Sequence, residues 1–142
     1  MQFPVELVPF EKWVAFRGDF PRGAGEHRMV IIQRVEDQVE YFYVTSYEST
    51  DEKHKIDLNN RKDIGSIAEL SKNDWVALTK DSCVQCNLSH THDISIAELR
   101  YGYQVGTIEY LGVIPSAVRE KLIAATCASV SFTDTEKRLY TT

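Results

Sequence analysis

With 142 residues, 43% of them hydrophobic, the chain is the size of one domain that buries about two-thirds of its unfolded surface. A formal net charge of −5 argues against a protein that coats nucleic acid non-specifically, because that affinity is built from many cation–phosphate contacts. No run is apolar for long enough to span a membrane, and Met1-Gln2-Phe3-Pro4-Val5-Glu6 lacks the regions of a signal peptide, so a cytoplasmic protein is expected. The cysteine count of 3 suits reduced thiols rather than a disulfide framework.

Trp13-Val14-Ala15-Phe16 predicts a first strand, with Pro4 and Pro9 favouring an extended lead-in. Arg17–Glu26 carries Gly18, Pro21, Gly23 and Gly25, a composition suited to a mobile flap or a plain hairpin loop. The next stretch, His27–Ser46, organises the rest of the chain. Met29–Ile32 is unbroken apolar and Val39–Ser46 is aromatic and β-branched, so both read as strands, with Glu36-Asp37-Gln38 as the turn of a β-hairpin. A turn centred on Asp37 sets Ile32 against Phe42, Val30 against Val44 and Arg28 against Ser46. A one-residue shift would instead put Arg28 and Thr45 on the same face as diagonal neighbours. In either register the open end holds Arg28, Thr45 and Ser46. A planar fork of donors beside two hydroxyls suits a phosphodiester, although such residues are also common at ordinary strand ends.

Tyr47–Lys55 reads as an exposed loop before a brief strand Ile56-Asp57-Leu58, and Asn59–Ser71 as loop with a short helical turn lined by Ile64, Ile67, Ala68 and Leu70. Asp74–Thr79 and Ser82–Asn87 are strand candidates, with Trp75, Val76, Leu78 and Val84 supplying core. Ser95–Arg100 predicts a short helix capped by Ser95 with Glu98 as capping-box partner. Tyr103–Leu111, punctuated by Gly102, Gly106 and Gly112, predicts one bent strand or two short ones. The clearest helix is Ser116–Ala128, preceded by Pro115, capped by Ser116, with Val118, Leu122, Ala125 and Ser129 along one face. Thr133–Thr142 reads as a polar, frayed tail in which Leu139 and Tyr140 could dock on a partner. Residues 1–142 therefore read as a single α+β, mostly β domain: a small, strongly bent antiparallel sheet closed by a helix around one core.

Two other groupings carry possible chemistry. Cys83, Cys86, His90 and His92 are four potential zinc ligands. A strand through Cys83 and Cys86 would point them to opposite faces, so ordinary strand and loop residues are preferred and no metal is expected. His27 has the ordinary pKa best suited to proton transfer near neutrality, but alternation places it on the opposite face from Arg28. Tyr41, Tyr43, Tyr47 and Phe42 could include platforms for unpaired bases, or could be sheet core or dimer contacts. Residues 11–34 hold Lys12, Arg17, Arg22, Arg28 and Arg34 against Glu11, Asp19 and Glu26, so the approach to the hairpin is locally basic.

An arginine opening an apolar strand in Gly25-Glu26-His27-Arg28-Met29-Val30-Ile31-Ile32, followed by a strand ending in Val44-Thr45-Ser46, resembles the PemK/MazF family of toxin endoribonucleases. The resemblance continues through Leu78-Thr79-Lys80-Asp81-Ser82-Cys83-Val84 and the Gly106–Ser129 region, and covers most of residues 13–129. It implies an SH3-like barrel with a C-terminal helix. It also implies a metal-independent, cofactor-free toxin of a toxin–antitoxin pair that cleaves single-stranded RNA, such as mRNA, to 2′,3′-cyclic phosphate and 5′-OH ends. Arg28 and Thr45 would carry catalysis, with Ser46, His27, Arg17 and Arg22 as substrate-binding candidates. A symmetric homodimer and an antitoxin protein are the implied partners. The alternative is a non-catalytic SH3-like barrel that binds protein or nucleic acid, with Arg28 a structural ion-pair partner.

Overall fold

Met29, Val30, Ile31 and Ile32 are all fully buried in the computed structural model, which describes residues 3–19 and 25–142. Four consecutive strand residues can all be buried only where both faces of the sheet are covered, and the unbroken apolar run is the sequence mark of that environment. Among the described residues the sheet has seven strands: β1 (Val14–Asp19), β2 (Glu26–Val35), β3 (Gln38–Ser46), β4 (Ile67–Leu70), β5 (Ser82–Gln85), β6 (His92–Ser95) and β7 (Ile108–Val113). All pairings are antiparallel, in the order β4-β5-β3-β2-β1-β7, with β6 also beside β3. Among the described residues β4 and β7 stand at opposite ends and do not pair, so the sheet is open rather than a closed barrel. Among the described residues four α-helices accompany it: α1 (Thr50–Asn59), α2 (Ile96–Val105), α3 (Ser116–Ala128) and α4 (Asp134–Thr141). No helix is long and apolar enough to cross a membrane, among the described residues.

The expected single core is two apolar layers, one on each face of the sheet. The first joins Ala15, Val30, Phe42, Val44 and Val84 to Trp75, Leu78, Leu122, Phe132 and Tyr140 beneath α3 and α4. The second joins Phe16, Met29, Ile31, Val39 and Tyr41 to Phe10 and to Leu99 and Tyr103 of α2.

The hairpin forms where expected, with a different register. Its turn is the pair Glu36-Asp37, with Glu36 at φ 56° and Val35 opposite Gln38. An irregularity between Ile31 and Gln33 then moves the pairing by one, so that Val30 faces Phe42 and Arg28 faces Val44. A bulged residue is invisible to any count made outward from the turn.

The stretch 47–71 departs furthest from expectation. Ser49 accepts a hydrogen bond from the Glu52 amide and caps α1, Asp51 and Glu52 complement its N-terminus, and Lys53 pairs with Asp57 one turn on. α1 buries no residue, so no apolar period announces it. The short helical turn expected from Ile64 to Leu70 forms only as a single tight turn at Ile64–Ser66, and the rest is β4, whose Ala68 and Leu70 alternate inward. Asp74–Thr79 is not a strand: Leu78 N–H donates to the Trp75 carbonyl in a turn that buries Trp75 and Leu78 and leaves Val76, expected in the core, fully exposed.

Ser95 caps α2 as expected, but α2 runs on to Val105 and ends at Gly106 in the left-handed region, φ 85°. It takes in Tyr103–Val105, so the strand expected there is only β7. α3 spans its expected residues, although Ser116 is already helical and its side chain makes no cap. The tail is α4, held by a Thr133/Glu136 capping box and by Tyr140, whose ring packs against Phe132 and whose hydroxyl donates to Glu40.

Candidate functional site

Arg28 is the third residue of β2, directly opposite Arg17 on β1 and Val44 on β3. Like charges opposed across strands repel. Arg17 is compensated by Glu26, 3.5 Å away, and by Glu109 of β7. Arg28 makes no ion pair among the described residues, and its Nε is buried without a hydrogen-bond partner there. A buried, unsatisfied donor costs about 1–3 kcal/mol, and more on a charged group. An anion at this position would supply both the missing acceptor and the missing charge.

Alternation from the observed register sorts the remaining candidates. Arg28 shares its face with Val30, Val44 and Ser46, where the first apolar layer lies. Thr45, with Tyr43, His27 and Met29, belongs to the other face. The open end of the hairpin thus brings Arg28 and Ser46 to one face, and His27 and Thr45 to the other. Ser46 is exposed and Thr45 half-buried, paired with Ser82 and Cys83 of β5. Arg17 is occupied by its two carboxylates, and Arg22 lies outside the described residues, as does the middle of the predicted flap. Beyond β3, a cavity of about 440 Å³ is lined by Tyr47–Thr50, Lys72 and Thr79–Asp81. The Tyr47 amide donates to the Asp81 carbonyl at its edge, and Lys80 pairs with Glu48, whose carboxyl it holds below the ordinary range.

The cysteines and histidines do not converge. Among the described residues no group of three or more His, Cys, Asp or Glu is arranged to hold a metal ion. Burial pushes the Cys83 thiol up to about 11 and the enclosed Cys86 thiol higher still. Both are therefore uncharged at neutral pH.

His90 belongs to a polar network that the sequence does not reveal, because its links are set by folding. Asn60 Nδ2 donates to the Ile56 carbonyl, which fixes its amide; its Oδ1 therefore accepts from Asn87 Nδ2. The Asn87 Oδ1 is left facing His90 Nδ1 at 2.7 Å, so Nδ1 carries the proton. This network borders a cavity of about 510 Å³ with Arg61, Lys62 and Ser131 on its wall. Burial holds His90 and His92 below the ordinary histidine value, with their mutual repulsion adding to the effect on His90.

His92 stands in a second grouping. β5 and β6 share one edge of β3, pairing with 44–46 and 38–41, which leaves Phe42 and Tyr43 at the gap between them. Tyr43 lies there with the His27 ring centroid at 5.0 Å and the His92 centroid at 4.8 Å. The only signal of this in the sequence is the aromatic density of β3. No protein-family model matches the chain, and no curated protein matches it.

Proposed function

We propose that the protein is a metal-independent endoribonuclease acting on single-stranded RNA, with Arg28 as the residue that holds the scissile phosphate. The observation that supports this best is the buried Nε of Arg28 at the open end of the hairpin, which has no hydrogen-bond partner among the described residues. RNA carries its own nucleophile. A protein cleaves it by setting the 2′-OH in line with phosphorus and stabilising the charge that builds on the phosphate oxygens. The 2′-oxygen gives up its proton and forms a bond to phosphorus as the bond to the 5′-oxygen breaks and that oxygen takes up a proton, giving a 2′,3′-cyclic phosphate and a 5′-OH. The guanidinium holds two phosphate oxygens as a fork, and the Ser46 hydroxyl donates from the end of β3, while Thr45, on the opposite face, reaches the RNA only beyond the phosphate. Ser46 shares the guanidinium's face and so takes the larger part.

In this reading the bent sheet is an opened variant of the SH3-like barrel of PemK/MazF toxins, working as a homodimer in the cytoplasm under the control of an antitoxin protein. One observation favours a second reading, a non-catalytic RNA-binding module: the register separates Arg28 from Thr45, the pair expected to act together. Incubation with single-stranded RNA in EDTA decides between them. Discrete products with cyclic phosphate ends are expected; RNA left intact at stoichiometric protein would overturn the nuclease reading.

A further inference from the structure

His27 of β2, Tyr43 of β3 and His92 of β6 form a row of half-buried rings across one face of the sheet. The middle ring is held from below: Tyr43 Oη lies 3.3 Å from Tyr41 Oη, and the Tyr41 ring meets it edge-on at 5.3 Å and 84°. Tyr41 also contacts His92, with centroids 5.6 Å apart, and is itself only 2% exposed, so it is the packing ring beneath the row. Thr45 is the next residue of β3 on this face.

The face is covered on either side of the row. α1 lies over β4 and β5, tied by Lys53 to Glu69 and by Asn60 to Gln85. α2 packs beside β6 and β7 through Leu99 and Tyr103. Between the helices, among the described residues, the three rings form a strip that is half-buried rather than enclosed, and Thr45 lies beside them on the same face. Burial keeps His92 neutral at physiological pH, so the strip presents π-faces and hydrogen-bonding groups.

We propose that this strip is a stacking platform for the unpaired bases of single-stranded RNA, a subsite separate from the phosphate site at Arg28. The inference rests on the RNA reading above and extends it. Aromatic rings prearranged on a sheet and left partly open are the feature by which proteins hold splayed bases, since every base has a face to stack. The two-sided hairpin end then has a use: a chain crossing it meets Arg28 through a phosphate on one face and the rings through its bases on the other.

The test uses an oligoribonucleotide with 2′-O-methyl groups throughout, which cannot be cleaved, carrying 2-aminopurine, whose fluorescence falls on stacking. Wild type should bind and quench it. Tyr43→Leu and His92→Leu should lose most of the quenching and bind about 5- to 100-fold more weakly, while Tyr43→Trp retains both. His27→Leu, at the other end of the row, serves if Tyr43→Leu fails to fold. Arg28→Ala should weaken binding yet leave the bound probe quenched. Unchanged affinity and quenching in the ring variants would overturn the platform and leave the nuclease reading standing. Binding and quenching by a wild-type protein that cleaves no RNA would support the platform and remove the nuclease. No binding at all would remove both.

Discussion

At the open end of the central hairpin the two faces of one pair of strands are chemically different. One carries Arg28 and Ser46, with a charge unmatched and a buried donor lacking an acceptor among the described residues. The other carries His27, Tyr43 and Thr45, with rings in mutual contact and no buried polar atom left unpartnered among the described residues. The first arrangement is costly in the isolated chain, the second is settled by packing alone. A group held at a cost where a neutral residue would fit is the stronger pointer to a ligand.

The sharpest way to break this comparison is Arg28→Ala. Loss of one preorganised donor costs about 10²- to 10³-fold in rate, so cleavage should fall below detection. Because Arg28 Nε has no described partner to lose, the urea midpoint should stay level or rise. A large drop in the midpoint would make Arg28 a structural residue instead.

Truncation within the two apolar layers should hurt equally. Leu122 beneath the Arg28 face and Leu99 beneath the ring face are both 0% exposed, so each change to Ala should cost about 2–5 kcal/mol of stability in denaturant unfolding. A small loss at either would show that one layer is peripheral to the fold.

The hydroxyls sharpen the comparison further. If chemistry runs on the Arg28 face, Ser46→Ala should slow cleavage more than Thr45→Ala, with effects up to about 10²-fold. The reverse order, read from single-turnover rates, would place the reaction on the ring face.

The smallest expected effect is a pH dependence. His90 and His92 have folded pKa values below the ordinary value because burial disfavours their charged forms. Between the folded and unfolded values the unfolded chain binds more protons, so stability declines as pH falls from about 7.5 through the ordinary histidine value. His92→Gln should flatten part of that decline in urea midpoints. Asp74 and Glu48, held low by Lys121 and Lys80, lose their contribution only in the more acidic carboxylate range.

What is legible in the sequence follows from where the determinants lie. α3 can be read because Val118, Leu122 and Ala125 recur on one buried face, and β2 and β3 because their apolar and β-branched runs are bounded by polar turns. α1 escapes such a reading because it buries nothing, and α4 because its single buried residue, Tyr140, gives no period. Arg28, Thr45 and Ser46 do stand together at one end of the hairpin, as their places in the two runs imply. Which of them share a face is not legible, since it depends on one bulge near Ile32. The row from His27 to His92 joins three strands and cannot be read from any one of them.

Arg28 acting on an RNA phosphate is the central claim. The most direct measurement is single-turnover cleavage of a single-stranded RNA in EDTA by wild type and by Arg28→Ala, with a parallel substrate carrying a 2′-deoxy residue at the cut bond. Wild type should produce 2′,3′-cyclic phosphate ends from RNA and nothing at the deoxy bond, and Arg28→Ala should produce neither at an undiminished urea midpoint. Cleavage of the deoxy bond, or full activity in Arg28→Ala, would contradict it.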